Sequence, residues 1–483
     1  MAGVRKLYFF SFAERYYSLV IGAATTIILA RILTPRETGL YSVAAGIVGI
    51  AQALRDFGVS NFIIQAKDLS RDQLATAIGL SLGLGLILMT ASTLGSGAIA
   101  AFYSDPSLRT VVLVLSLNFL LVPYAGISAA LFVRDMNFRA IMLISFAATT
   151  VGAVSSVTLA AMGWGALGMA WSSVLAIITS LIISWFLQWR RMLVLPRMRA
   201  WRELLHFGAF ASGASILNML AGKVPDIVIG RQISMTAVGI FSRGNGVITL
   251  FETALMGGVS RVTGSLIATC SREGQQLRPL FLQSLSLITA VAWPFLVLLG
   301  LLAHSIILIL FGMQWVESIA VAQILCAAAA TGTLGAICFT LFSATGAVRQ
   351  IFHIQLATVL VHVVGVFIGS CFGLRWAACG FVASNALTAV LALAAANKDL
   401  GTTWMGIAAA LRSSAVLALA TSVIPGLFVF GQGFDDNHLW VPTLLTGSGG
   451  AASWVACLFA IRHPFRLEIT SAIGKMRHAF APG

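Results

Sequence analysis

Charge is scarce in this sequence: 10% of its 483 residues are Asp, Glu, Lys or Arg, against about 25% in a soluble domain. That shortage excludes a soluble enzyme and a disordered chain, neither of which combines so few charges with 59% hydrophobic residues. Acidic residues are scarcest, 16 against 30 Lys and Arg, leaving a net charge of +14. The six cysteines show neither CxxC nor Cys/His spacing, which excludes a disulfide scaffold and a zinc site. They read as small core residues. There is no GxxxxGK[ST], HExxH or GxSxG, so no P-loop ATPase, zincin or hydrolase elbow is expected. Nothing in the sequence calls for a metal or a cofactor, and no enzymatic role is expected.

What the sequence has instead is hydrocarbon. Its mean hydropathy is +0.95, and its apolar runs are continuous rather than alternating, which argues against a β-barrel. A spanning helix needs about 20 mostly apolar residues. By that measure fourteen spans are expected, near 12–33, 38–59, 74–102, 110–132, 140–162, 164–188, 205–230, 236–259, 279–302, 319–343, 351–372, 376–396, 406–430 and 439–461. The fold class is therefore an all-α, polytopic membrane protein. With the N-terminus cytoplasmic, 21 Lys and Arg fall in cytoplasmic connectors and 5 in the opposite ones: Arg31, Arg36, Arg109, Arg231 and Arg375. Under the positive-inside rule this places both termini in the cytoplasm. It also explains the basic charge without a nucleic-acid partner, whose binders gather cations on one face.

The sequence repeats. Residues 30–42 read ARILTPRETGLYS and 230–242 read GRQISMTAVGIFS. At an offset of 200, Arg31 matches Arg231, Gly39 matches Gly239, and Ser42 matches Ser242; Gly46 and Gly246 follow. Farther on, Gly168 and Ser172 parallel Gly380 and Ser384 at an offset of 212. Spans 1–6 thus map onto spans 7–12. An even number of spans per copy makes the copies parallel, and substrate sites tend to lie between such halves. The expected organisation is an N-lobe over 1–189, an Arg-rich cytoplasmic linker over 190–204 and a C-lobe over 205–397. Two extra helices over 398–461 and a cytoplasmic tail over 462–483 complete it.

A charge at mid-helix costs about 2.5–3.5 kcal/mol on insertion scales. Eight are expected inside spans: Glu14 and Arg15, Arg55 and Asp56, Lys223 and Asp226, Arg243 and Glu252. They occupy the first hairpin of each repeat. Such residues either lock the lobes in ion pairs or face a wet cavity. The concentration in two homologous hairpins favours the cavity. His362 within span 11 reads as a packing residue rather than a proton relay, and Asp435, Asp436 and His438 as a solvated turn rather than a metal site.

Several motifs carry a resemblance: LRDFG at 54–58 with Ile64-Gln65, the ILTPRETGLYS turn, Phe102-Tyr103-x-Asp105-Pro106, Arg134-x-x-x-Phe138-Arg139, Asp226-x-x-x-Gly230-Arg231 and Leu310-Phe311-Gly312-x-x-Trp315. Together, in this order, they resemble the Wzx-type polysaccharide transporters, in particular the colanic-acid-exporter-like branch of the multidrug/oligosaccharidyl-lipid/polysaccharide exporter superfamily. Phe241 stands where the pattern prefers Tyr, and Lys223 adds a cation before Asp226.

The resemblance implies a flippase that carries undecaprenyl-pyrophosphate-linked oligosaccharide across the bacterial inner membrane by alternating access, for exopolysaccharide, O-antigen or capsule. A polysaccharide polymerase and a chain-length regulator are the expected protein partners. Arg15, Arg55, Lys223 and Arg243 would then hold the pyrophosphate, since Arg presents a planar fork to phosphate oxygens. Glu14, Asp56, Asp226 and Glu252 would balance charge or carry a coupling ion. The alternatives are a drug/cation antiporter of the same superfamily, whose cavity should be acidic or apolar, and a membrane polymerase or acyltransferase, which should show a large outer loop. The longest outer segments expected are Ala303–Ser318 and Gly431–Asn437.

Overall fold

The computed structural model describes residues 2–56, 58–66, 68–192, 196, 217, 219–253, 257–431 and 439–466. Most of the 190–204 linker, the start of span 7, the acidic turn at Asp435 and Asp436 and the tail beyond 466 lie outside these residues. Every regular element among the described residues is a helix. The first are α1 (Ala2–Ile32), α2 (Pro35–Asp56), α3 (Val59–Gln65), α4 (Arg71–Tyr103), α5 (Ser107–Ser116), α6 (Asn118–Arg134), α7 (Phe138–Ala161) and α8 (Gly165–Met192). A helix over 219–232, α9, precedes α10 (Met235–Phe251) and α11 (Gly257–Arg272). Then come α12 (Leu277–Leu301), α13 (Ala303–Leu310), a 3₁₀ turn at Met313–Trp315, α14 (Ser318–Thr345), α15 (Val348–Phe372), α16 (Leu374–Leu400), α17 (Trp404–Gly431) and α18 (Trp440–Ala460).

Among the described residues, ten of the expected spans are long and apolar enough to cross a bilayer: α4, α5 with α6, α7, α8, α12 and α14–α18. The other four correspond to α1, α2, α9 and α10, where the expected intraspan charges were placed. Among the described residues α9 (219–232) and α10 (17 residues) are too short to meet that length.

Several boundaries differ from the hydropathy reading. Gly58 adopts φ 70°, so the chain turns after α2 and starts a separate short helix, α3. Residues 257–272, expected to be largely connector, form α11, in which Val262, Leu266 and Ile267 are interleaved with Ser, Thr and Arg. Ala303–Ser318 is not an open outer loop: it folds as α13 and the 3₁₀ turn, with Ile307, Phe311 and Trp315 buried. Arg412, one of the 21 cations assigned to cytoplasmic connectors, lies two turns inside α17, where its long stem can carry the guanidinium toward the interface.

Two compact units result, Met1–Ser242 and Arg243–Gly483, the division falling inside α10. In the first, Val59, Ile63, Leu74, Ile78, Ile127 and Leu131 form a core joining α3, α4 and α6. Arg134 fastens this core by donating to the Ile63 carbonyl at 2.8 Å and to that of Ala66, which satisfies the open end of α3. In the second, Phe281, Leu285, Ile337, Phe342 and Leu393 join α12, α14 and α16. Cys326 and Cys338 are buried on α14, as expected of small core residues, whereas Cys371 is exposed.

Candidate functional site

The α1–α2 and α9–α10 turns are the two copies of the repeated motif, and in the first unit they meet. A methyl group at Gly39 would lie 1.7 Å from the Met235 carbonyl oxygen, and one at Gly239 would lie 1.9 Å from the Pro35 carbonyl oxygen. Only glycine permits this backbone-to-backbone approach. One helical turn along, the Ser42 hydroxyl donates to Ser242 at 3.5 Å. Residues related by the offset of 200 therefore face one another, Gly39 beside Gly239 and Ser42 against Ser242, as the two sides of a local two-fold axis would. The seam continues along α2, where Gly46 lies against the stem of Lys223 and Ile227.

The α4–α5 turn closes this end. Tyr103 donates to the Ile227 carbonyl at 3.1 Å. Asp105 is buried, accepts from Arg36 at 2.6 Å and also accepts from the Ser107 backbone N–H. The Arg231 guanidinium lies over Phe102, 5.0 Å from the ring centre. The motifs Phe102-Tyr103-x-Asp105-Pro106 and Asp226-x-x-x-Gly230-Arg231 are thus two halves of one contact. Their spacing in sequence, more than a hundred residues, hid it.

The eight candidate residues are distributed unevenly. Arg55 occupies the last turn of α2 and is 6% exposed; a cation there is also favoured by the helix dipole. Asp56 ends α2, and its side chain lies outside the described residues. Glu14 and Arg15 are half-buried on α1. One turn on, Tyr17 donates to Thr150 of α7 at 2.6 Å and stacks on Phe146. Asp226 is 8% exposed on α9, with Lys223 half-buried one turn earlier on the same face.

In the second unit Arg243 is 8% exposed, with its guanidinium 5.0 Å from the Trp315 ring centre and 5.7 Å from that of Phe311. Both rings are fully buried. This aromatic bed was present in the sequence as Leu310-Phe311-Gly312-x-x-Trp315 but gave no sign there of its cation. Cation–π contacts are worth about 0.5–2 kcal/mol, most when desolvated. Glu252 lies in a π-helical stretch following α10 and is exposed. His362 is buried, bonded through Nδ1 to Ser384 at 2.8 Å and packed edge-on to Phe381.

Two apolar hollows lie among the described residues. One, of about 490 Å³, is lined by Tyr124, Leu181, Ile182, Trp185 and Phe186. The other, of about 170 Å³, lies among α12, α17 and α18 and is lined by Pro294, Phe295, Leu298 and Trp454. Neither has a charged residue in its wall, so neither suits an anionic head group. Among the described residues no cluster of His, Cys, Asp and Glu could hold a metal ion.

Comparison with known sequences decides the family. The polysaccharide biosynthesis protein family matches residues 28–320. The chain belongs to that family. Among curated relatives, the lipopolysaccharide biosynthesis protein WzxC of Escherichia coli (strain K12) is 26% identical over 72% of this chain and 71% of its own length. The succinoglycan biosynthesis transport protein ExoT of Rhizobium meliloti (strain 1021) is 26% identical over 60% of this chain and 59% of its own. In fold, the chain is similar to the lipid II flippase MurJ in an inward closed conformation, with a TM-score of 0.77 over 94% of this chain and 99% of that one, at 11% identity. It is also similar to an inward-facing multidrug-resistance MATE transporter, with a TM-score of 0.64 over 80% of this chain and 94% of that one, at 18% identity. This member of the polysaccharide biosynthesis family is therefore a multi-pass membrane protein with the flippase and MATE fold.

Proposed function

We propose that the chain translocates undecaprenyl-pyrophosphate-linked oligosaccharide repeat units across the bacterial inner membrane by alternating access, with both termini cytoplasmic. It would serve exopolysaccharide, O-antigen or capsule synthesis. The observation that carries this reading is the pair of deeply buried arginines, Arg55 and Arg243, in a chain of this family. A pyrophosphate supplies several phosphate oxygens, and Arg engages them in pairs. Arg15, Arg55, Lys223 and Arg243 are the residues assigned to the head group. Glu14, Asp56, Asp226 and Glu252 are assigned to charge balance or to a coupling ion. The relatives WzxC and ExoT, named for lipopolysaccharide biosynthesis and succinoglycan transport, support a saccharide cargo. Transport without covalent chemistry is the reading for the whole chain. A polymerase and a chain-length regulator would act on the cargo after release.

The test is the fate of the lipid-linked intermediate. Deleting the gene, with the glycosyltransferases intact, should leave undecaprenyl-linked repeat units on the cytoplasmic side. Complementation by the wild-type gene should restore export; Arg55→Ala should fail and Arg55→Lys should restore it partly, because lysine keeps the charge and loses the fork. Each charge-assisted contact contributes about 1.5–3 kcal/mol, so one loss should weaken capture by roughly tenfold to a hundredfold. Full export from Arg55→Gln combined with Asp56→Asn would show that Arg55 only neutralises its neighbour, and would overturn its binding role.

A further inference from the structure

The segment that follows α18 is held by a buried histidine that the transport reading does not use. α18 ends with Arg462 in the left-handed region at φ 55°, and the His463 N–H reaches back to the Leu458 carbonyl at 3.1 Å. This is the Schellman pattern, but with arginine where glycine is usual. A non-glycine residue in that region is uncommon and needs support from its surroundings.

His463 supplies the support. Its side chain is 1% exposed. Nδ1 accepts the Phe465 backbone N–H at 3.1 Å, so the ring proton belongs on Nε2, which lies 3.3 Å from the Ser286 hydroxyl on α12. Ser286 belongs to a small polar network. Its carbonyl accepts the Ser414 hydroxyl of α17 at 3.1 Å, and Ser414 accepts from Thr289 at 2.9 Å. Beside it, Trp454 donates to the Ala290 carbonyl at 2.9 Å, and its ring lies 6.0 Å from that of Phe465. Leu458 packs with Ala290 and Leu417. The neutral imidazole thus joins the C-terminal segment to α12, which α17 also meets through Ser414.

From this geometry we infer that His463 is a proton-sensitive latch: neutral, it fastens residues 461–466 to α12; charged, it releases them. Protonation puts an N–H on Nδ1, directly opposite the Phe465 N–H, and two donors cannot share that contact. Among the described residues, the ionisable groups on the elements packed around the ring are Arg278 on α12, Arg412 on α17, Cys457 on α18, and Arg462 and Arg466 on its own segment, and no carboxylate is among them. Burial accordingly holds the ring below the ordinary histidine range. Acidification on the side of the membrane that carries the C-terminus would therefore free the segment and let Arg462 leave its left-handed conformation.

The experiment is amide hydrogen exchange on the full-length protein in nanodiscs, from pH 7.5 to pH 5, with intrinsic rates corrected for pH. Wild-type residues 461–466 should lose protection at least tenfold across that range, while the interior of α12 stays protected. The variant His463→Asn keeps an acceptor two residues before the Phe465 N–H, as in an Asx turn, and cannot be charged. Its protection should not change with pH. Protection independent of pH in the wild type, or an equal loss in both proteins, would overturn the latch. Should His463→Asn fail to fold, nitrogen NMR of labelled histidine in the wild-type protein reads the tautomer directly. A proton on Nε2 at pH 7.5 that is joined by one on Nδ1 as the segment opens is the expected result; a proton on Nδ1 at pH 7.5 would refute the geometry.

Discussion

Replacing Gly39 by alanine puts a methyl carbon 1.7 Å from the Met235 carbonyl oxygen, at least 1.3 Å short of the 3.0 Å that real contacts respect. Neither side can yield locally: the obstruction is backbone, and the repeat-related glycine on the other side is equally close to the Pro35 carbonyl. The helices must move apart. The Ser42–Ser242 hydrogen bond, already 3.5 Å long, is then lost. Overpacking of this kind costs about 1–3 kcal/mol, which lowers the ratio of closed to open seam by roughly five- to 150-fold.

Ser42→Cys with Ser242→Cys, in a chain whose six native cysteines are replaced, gives the assay. In isolated membranes the pair should form a disulfide rapidly, and the cross-link should stop export until it is reduced. Adding Gly39→Ala should slow cross-linking by about tenfold, and Gly239→Ala should do the same. Export should fall whenever this end can no longer close. Unchanged cross-linking in both alanine variants, at normal membrane abundance, would mean that the glycine contact does not set the closed arrangement and would refute the steric argument.

The remaining predictions concern charge. Asp226→Asn should alter the pH or cation dependence of export if this buried acid carries a coupling ion; unchanged dependence at normal protein level would reduce it to a packing residue. Reporters fused after Arg202 and at the C-terminus should read cytoplasm and one at Asp435–Asn437 periplasm; a cytoplasmic signal from that loop would break the fourteen-span topology. Thermal stability in detergent should also carry the signature of His463. Its folded-state pKa is lowered, so its contribution is intact above the unfolded value of about 6.5 and is lost as pH falls toward the folded value. The slope attributable to this one group is at most about 1.4 kcal/mol per pH unit, and His463→Asn should remove it.

Hydropathy made the helical architecture legible because a bilayer allows little else to cross it. The repeat was legible through glycines, which are kept where backbones touch: Gly39 and Gly239 are the contact itself. The site was legible only in part. An arginine in an apolar run announces its cost but not its partner, so Arg55 and Arg243 could be named while the bed of Phe311 and Trp315 could not. The span ends expected near 59 and 302 fall at the breaks at Gly58 and Leu302, but the short helices α3 and α13 that follow them, too short to register as spans, were missed. His463 escaped because the sequence shows it only as one polar residue in a basic tail; its burial comes from the turn at Arg462.

In the first unit Asn118, on α6, donates its amide to Ser173 of α8 at 3.2 Å; in the second, Asn385 on α16 donates to the Ala328 carbonyl of α14 at 3.1 Å. Positions 173 and 385 are equivalents at the offset of 212, and α14 is the counterpart of α6. The amide has therefore changed sides of the same helix–helix junction between the two copies. At this position both halves keep a polar tie, but not the residue that makes it. A chain built from two first halves would still pair each amide with a serine. Grafting single residues between the halves would not be so benign: Ser173→Asn alone sets two amides against each other, and Asn385→Ser alone removes the tie. The two halves are interchangeable in outline, but each has become specific to its own set of partners.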